Sequence, residues 1–562
     1  MAEKGEPMRG KPNDNEIKSS DARAILVSGI ALSLDDAPNA ALSEARRLLM
    51  RAGITERAEY SVYKRSIDAR VRGGVRTVRA VYSVLARFEG AISLSENERR
   101  ALLRIQAKIV THDGTPEIIR GTAPAPARPL VVGMGPAGLF CALLLAEEGY
   151  RPILIDRGDD VRRRVETNER FMKTGVLDTE SNVQFGAGGA GTFSDGKLIT
   201  RIGDEKCAYV LRRFVECGAP MEILTDARPH IGTDLLVGVV ERLLERIEAL
   251  GGTVLYRTRL DGIENPKSED ALTVRTSGGD ILCGPLVLAL GHSARDTQRM
   301  LIREGFSVVP KPFSVGVRVE HLQSEIDKAM YGDYAGHPAL GHAEYNLSDT
   351  TGDRGVYTFC MCPGGTVVAA ASETGGVVVN GMSCHARDGK NAVAAVAVSV
   401  SCEDYGNTPE GGMCYQRVLE EKAFSVGGGG YAAPIQLLGD FLDGTLTKEP
   451  RKIEPTYSRG AVTLARVDEI FSSGITETLR RGFSSFGRRL SGYDDREAVL
   501  TGVETRTSSP VRLLRSEGMT AIGFPLVYPI GEGAGYAGGI TSAAVDGIRA
   551  ALAIIERFAP AE

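Results

Sequence analysis

The first apolar run of the chain, AILVSGIALSL at 24–34, follows a polar start in which hydrophobic residues have no period. That start, 1–22, is expected to be disordered, because it offers too little apolar surface to offset the entropy of ordering. The run itself predicts a buried strand. It is too short to span a bilayer, and it leads into Asp35 and Asp36 rather than the small-residue cleavage region of a secretory signal. ALSEARRLLMRAG at 41–53 has helical spacing, and 62–88 reads as a strand, a basic turn and a second strand. Together, 23–115 predict a small α+β module.

A stiff linker follows at 116–128, with GTAPAPARP from Gly121 as its core. The texture then becomes an alternation. PLVV, RPILID, TVLYRT, ALTVRT and PLVLAL read as strands. GLFCALLLAEEG reads as a helix, and so does TDLLVGVVERLLERIEALGG, capped by Thr233 or Asp234 and stopped by two glycines. This is α/β texture over 129–310. Residues 311–482 are richer in β-like segments and long loops, which predicts an inserted substrate or cap domain. Residues 483–562 return to the α/β domain.

A chain of 562 residues is too long for one ordinary core. Its 43% hydrophobic and 25% charged residues are ordinary for a globular protein, and a net charge of −5 gives no global attraction to nucleic acid or to a bilayer. Nine scattered cysteines argue for reduced thiols in the cytoplasm rather than a disulfide framework. The segment 64–79 carries six basic residues against Asp68 alone. Without interleaved aromatics, however, it reads as a solvated turn, and nucleic acid is not an expected partner.

The strongest chemical signal is PLVVGMGPAGLFCALLLAEEGYRPILIDRG. Gly133, Gly135 and Gly138 form GxGxxG between a strand and a helix, and Asp156 ends the next strand. Gly133 permits the tight turn, Gly135 admits a pyrophosphate to the backbone, and Gly138 lets helix meet strand. Pro136 and Ala137 open the helix, whose N-terminus favours the anion. Asp156, followed by Arg157, is placed to take the hydroxyls of a ribose. The C-terminal stretch GEGAGYAGGITSAAVDG begins at Gly531, 398 residues after Gly133, as a second glycine-rich loop feeding a helix. It suits the far end of the same cofactor. Glu532 is expected at the ribityl or pyrophosphate region, the N–H groups of Gly539 and Ile540 are expected at a flavin's pyrimidine edge, and Gly538 is expected to bind the cofactor beside them. A third glycine-rich loop, NVQFGAGGAGTFSDGKLITR at 182–201, offers Gly188, Gly189, Gly191, Thr192 and Lys197 as anion-receptive groups.

These stretches, with RPHIGTD, LGHSARDT, SVGVRVEH, FCMCPGGTVV, NGMSCHARDG and LTGVETRTSSPVR, resemble a bacterial family of FAD-dependent dehydrogenases. That family is a branch of the glutathione-reductase-like flavoproteins, with a more distant similarity to geranylgeranyl reductases. The resemblance implies non-covalent FAD on a Rossmann domain carrying an inserted β-rich domain, with a small N-terminal appendage. The chain departs from the family pattern at Ala187, where glutamate is usual, and at Ile530, where cysteine or a small residue is usual. Asp156 also replaces the commoner glutamate.

Gly291 and His292, in LALGHSARDT, follow a buried strand where such folds pass the cofactor. His292 reads either as a proton donor near the flavin or as a backbone hydrogen-bond partner. Arg295 and Asp296 read as a structural ion pair, and His230 as a helix cap or a packing residue. Cys360 and Cys362 would share a face on a strand, which invites a redox-dithiol reading, although CxC is poor disulfide geometry and alternating residues on a strand are normal. No cluster has metal-ligand spacing, so no metal is expected. No second GxGxxG follows a strand. Reducing equivalents would therefore come from the small-molecule substrate, from transient NAD(P)H or from a protein donor. The expected function is hydride exchange between a substrate and FAD. A flavin monooxygenase and a non-catalytic FAD-binding partner protein are the alternatives.

Overall fold

The computed structural model describes residues 21–446 and 449–561. The disorder expected of the N-terminal segment therefore lies outside the described residues, except for the first two residues of a strand, Asp21–Leu32. The chain divides into two compact units.

The smaller unit comprises the described residues up to 115 together with two later excursions, 221–229 and 336–341. Its elements run strand, helix, strand, strand, helix, strand. The antiparallel sheet has the spatial order Ala58–Asp68, Arg79–Ser93, Asp21–Leu32, Ala107–Ile109. This is a split βαβ arrangement. Helix Asn39–Arg51 buries Ala41, Ala45 and Leu49, one stripe at helical spacing. Ser95 and Glu98 form a capping box on Glu96–Arg104. The basic turn is a hairpin tip in which Val71–Arg72 pairs with Val75–Arg76 around Gly73 and Gly74. Both glycines have positive φ, as a two-residue primed turn requires. The excursion at 221–229 is tied in where Arg65 N–H donates to the Thr225 carbonyl at 2.7 Å.

The larger unit carries a parallel five-stranded sheet in the order Thr253–Leu255, Ile153–Ile155, Leu130–Val132, Leu286–Leu288, Val527–Pro529. Helix Pro136–Glu147 follows the central strand. It is buried all round, as its unbroken apolar sequence requires. The C-terminal helix Ile540–Arg557 packs on it. A seven-stranded mixed sheet forms the second layer, in the order Ser348–Asp349, Val356–Cys362, Asn391–Val400, Phe313–Leu322, Val499–Glu504, Ala433–Leu437, Val462–Leu464.

Two sequence expectations change here. The insert was expected to end at Gly482, but its sheet takes in Val499–Glu504, which pairs with Phe313–Leu322. Gly482 lies inside helix Ser473–Gly487, where a Cβ would stand 2.7 Å from Val356. It is a close-packing glycine, not a break. Helix Thr233–Ala249 has no side-chain cap: Thr233 donates instead to the Thr192 carbonyl, and Asp234 accepts the His385 N–H.

Candidate cofactor site

The loops that carry the glycines meet around one cavity of about 490 Å³, within the range of small-molecule sites. Gly133 turns the chain at φ +104, and a Cβ there would lie 2.3 Å from the Ala289 carbonyl oxygen. Gly138 stands behind the cavity. A side chain on it would strike the Gly133 carbonyl oxygen, so it serves helix-on-strand packing. Gly135 is different. Its φ of −73° is ordinary, and the nearest atom to a Cβ would be Gly189 Cα at 3.9 Å. Protein packing does not require a glycine there. The missing side chain leaves a cradle in the cavity wall.

Close contacts knit the three loops. A Cβ on Gly189 would come within 2.8 Å of Gly135 Cα, one on Gly191 within 3.1 Å of the Ile540 side chain, and one on Gly533 within 2.5 Å of the Gly291 carbonyl oxygen. The N-termini of Pro136–Glu147 and Ile540–Arg557 both reach the cavity, through Pro136, Ala137, Gly539 and Ile540. The first N–H groups of a helix have no intrahelical partner, so both ends present donors and positive dipole to an anion. Asp156 lines the same wall. Its carboxylate accepts from the N–H groups of Met134 and Gly158, both at 2.9 Å, and each oxygen keeps a further lone pair.

Of the residues expected at a cofactor, the cavity brings together Gly133, Gly135, Pro136, Ala137, Asp156, Arg157, Gly189, Gly191, Lys197, Gly291, Gly531, Glu532, Gly538, Gly539 and Ile540, with His292 beside them. Gly138, Gly188 and Thr192 are not in the wall. A Cβ on Gly188 would meet Thr192 Oγ1 at 2.1 Å, so these two pack on each other behind the loop. Arg157 and Lys197 are in the wall but are not free cations. Arg157 pairs with Glu180 and Asp296 and lies over the Phe185 ring. Lys197 Nζ is 3.1 Å from both Asp195 and Glu344.

Burial of the Glu532 carboxyl pushes it up to about 7, against the opposing pull of Lys311. No hydrogen bond or ion pair to its side chain is found among the described residues.

His292 Nδ1 lies 2.8 Å from Ser293 Oγ, which donates to Gln184 Oε1 at 3.1 Å. That sequence of donors puts the imidazole proton on Nδ1 and leaves Nε2 an acceptor. Burial, followed by the charges of Arg506 and Arg295, brings the ring down to about 3. The proton-donor role therefore does not fit: the imidazole is neutral and its one proton is committed to Ser293. The backbone alternative does not fit either, since the partner is a side chain.

Arg295 and Asp296 do not pair with each other. Arg295 is bound by Glu420 and Glu373, and Asp296 by Arg157. Consecutive residues at a helix start point apart, so each found a carboxylate or guanidinium from distant sequence. His230 packs rather than caps: its Nε2 bonds the His385 carbonyl at 3.0 Å, and the two rings stack.

Two contributors escaped the sequence reading. Arg164 is fully buried on helix Val161–Thr174 and donates to the carbonyls of Asn182, Val183, Ala187 and Gly189. It shapes the third glycine-rich loop, and its only sequence signal is one arginine within a run of three. Arg506 lines the cavity and shares Glu420 with Arg295. Its stretch, TRTSSP, shows no spacing that announces a site.

The geometry defines a dinucleotide-binding flavoprotein: a Rossmann loop at one end of the cavity and a distant C-terminal loop at the other. Residues 312–507 match the family described as FAD-dependent protein, C-terminal domain-like, and 131–196 match the NAD(P)-binding Rossmann-like domain. An uncharacterized protein of Clostridium beijerinckii is 46% identical over 542 residues, covering 95% of this chain and 99% of the relative. The chain belongs to that family, and its cofactor is FAD.

Among solved structures, NikD, an unusual amino acid oxidase of nikkomycin biosynthesis, is 13% identical with a TM-score of 0.31, over 76% of this chain and 94% of its own. Glycine oxidase from Geobacillus kaustophilus is 12% identical with a TM-score of 0.30, over 75% and 92%. CtdE in complex with FAD is 12% identical with a TM-score of 0.30, over 75% and 82%. Similarity at that level leaves the reaction to be read from this chain's own residues.

Proposed function

We propose that the chain is an FAD-dependent oxidoreductase of the dehydrogenase or reductase type, exchanging hydride between a small-molecule substrate and non-covalently bound FAD. The observation that carries this reading is the meeting of three glycine-rich loops and two helix N-termini on one cavity, whose wall continues past them to Phe359 and Glu504 of the mixed sheet and to Asn380 of strand Val379–Met382. FAD supplies two-electron hydride chemistry when bound. The chain's residues do the rest. The cradle at Gly135 and the N-terminus of Pro136–Glu147 hold the pyrophosphate, and Asp156 accepts from the ribose. The N-terminus of Ile540–Arg557 stabilises negative charge at the opposite end. His292 Nε2 is an acceptor that orients a substrate hydroxyl or amine. The mixed sheet walls the substrate end and excludes water.

The described residues contain no helix long and apolar enough to cross a membrane, and the cytoplasm is the proposed compartment. Electrons arrive from the substrate, from transiently bound NAD(P)H or from a protein partner. Anaerobic mixing of the holoprotein with NADH and with NADPH tests the class. Bleaching of the flavin band by either, reversed by an electron acceptor without oxygen consumption, supports a reductase. NAD(P)H oxidation that requires both oxygen and an organic substrate makes it a monooxygenase instead. Bound flavin that no donor reduces leaves it a non-catalytic partner protein.

A further inference from the structure

Strand Val356–Cys362 loses its regular pairing near its end. Its register with Asn391–Val400 slips between Phe359 and Cys362, and Cys360 sits at φ +43, a conformation that residues with side chains rarely adopt. The regular strand geometry on which CxC is a poor disulfide is therefore gone, and the two cysteines are no longer equivalent. Cys360 is part-exposed and lines the cavity. Cys362 is buried, with its Sγ donating to the Cys360 carbonyl at 3.3 Å. Gly381 leaves room for that sulfur: a Cβ there would lie 3.1 Å from it.

Two ion-paired cations, Arg318 and Lys197, act on the pair. Arg318, fully buried, donates to the Cys360 carbonyl at 2.9 Å while paired with Glu504. The neighbouring Cys362 thiol, then the charges of Arg318 and Lys197, hold the Cys360 thiol below its ordinary range against burial and the charge of Glu504, while Cys362 is pushed up. The thiolate is the reacting form of a cysteine, so the cysteine that lines the cavity is also the one whose thiol is held low.

We propose that Cys360 and Cys362 form a dithiol–disulfide centre opening onto the cavity, which reduces small organic disulfides by thiol–disulfide exchange. The Cys360 thiolate attacks one sulfur of the substrate RSSR. That S–S bond breaks, a mixed disulfide forms on Cys360, and RS⁻ leaves to become RSH. The sulfur of Cys362, on losing its proton, attacks the Cys360 sulfur, closes the internal disulfide and releases the second RS⁻. The protein dithiol gives up two electrons and two protons, and RSSR leaves as two RSH. Cys360 is the attacking thiol and Cys362 the resolving one. None of this rests on the flavin reading, because the exchange needs no cofactor.

The test treats the reduced full-length protein, with and without FAD, with hydroxyethyl disulfide. Acid quenching, alkylation, trypsin digestion and mass spectrometry follow. The tryptic segment 355–387 also contains Cys384, so the background is Cys384→Ser. The expected product is that segment with an internal disulfide, about 2 Da lighter than the dithiol. Cys362→Ser should stop at a mixed disulfide on Cys360. In Cys360→Ser, Cys362 should react at least tenfold more slowly. Without any variant at the pair, Cys360 should be modified about tenfold faster than the exposed Cys414 of the same molecule. Modification of Cys414 ahead of Cys360, or unchanged reaction of Cys362 in Cys360→Ser, would overturn the proposal.

Discussion

Gly547 of the C-terminal helix lies so close to Ala137 that a Cβ at 547 would stand 2.1 Å from the Ala137 carbonyl oxygen. Ala137 belongs to the first turn of the Rossmann helix. The helix that closes one end of the cofactor cavity is thus seated directly on the helix that opens the other. Gly547→Val should force the two apart, at about 1–3 kcal/mol for overpacking. Chemical denaturation of FAD-free protein would show a lower midpoint, and FAD affinity should fall because both helix N-termini move. A Gly547→Val variant as stable as the parent would contradict the packing described.

Arg164 is a buried guanidinium that spends its donors on backbone carbonyls of one loop. Burial brings it down to about 9, opposed only by the charge of Asp156. Arg164→Met should leave those carbonyls unpaired. The cost is about 1–3 kcal/mol for each group that finds no water. FAD affinity should drop at least tenfold, measured by quenching of flavin fluorescence.

The Glu532 carboxyl makes a pH prediction whose sign follows from its environment. Its folded value of about 7 lies above the ordinary 4.5. Between those values the unfolded chain is ionised while the folded protein keeps its proton. Stability present below pH 4.5 is therefore lost as pH rises to about 7, and the loss then levels off. The total is on the order of 3 kcal/mol. Glu532→Gln should match the parent near pH 4.5 and exceed it at about pH 8, in paired denaturation curves of FAD-free protein. Parallel pH dependences for the two proteins would contradict the burial of an ionisable carboxyl.

Glu420 is a fully buried carboxylate between Arg295 and Arg506, whose charges hold it well below the usual carboxylate range. Glu420→Gln leaves Arg506 without an acid partner and Arg295 with Glu373 alone. The expected loss is about 3–5 kcal/mol, the cost of breaking a buried pair from one side. The double variant Glu420→Gln with Arg506→Met should recover part of it.

The sequence made the Rossmann end legible because its signal is local. Gly133, Gly135, Gly138 and Asp156 sit within one strand–helix–strand unit, and each glycine has a steric reason that can be read without a partner. The C-terminal loop was legible through the same chemistry. What stayed hidden depends on pairs far apart in the chain. Arg295 meets Glu420, Asp296 meets Arg157, and Arg318 meets Glu504 across 186 positions. No periodicity encodes those meetings. The boundary expected at Gly482 failed for a related reason. A glycine that breaks one helix admits a neighbouring strand in another, and only the presence of Val356 tells them apart. The regular strand expected at Cys360 gave way to a slip in register, which depends on the partner strand rather than on the CxC itself.

The central claim is that the pyrophosphate of FAD rests in the cradle at Gly135, and Gly135→Asp tests it most directly. The fold tolerates the substitution. Residue 135 is the N-cap of Pro136–Glu147 at φ −73°, where aspartate is among the favoured residues, and its Cβ would meet no protein atom nearer than 3.9 Å. The carboxylate would instead occupy the space of the phosphates and repel them. Titration of the FAD-free proteins with FAD, followed by flavin fluorescence with circular dichroism as the check on folding, should give stoichiometric binding by the parent. The folded Gly135→Asp variant should bind at least a hundredfold more weakly. A Gly135→Asp variant that fills with FAD as the parent does would place the cofactor elsewhere.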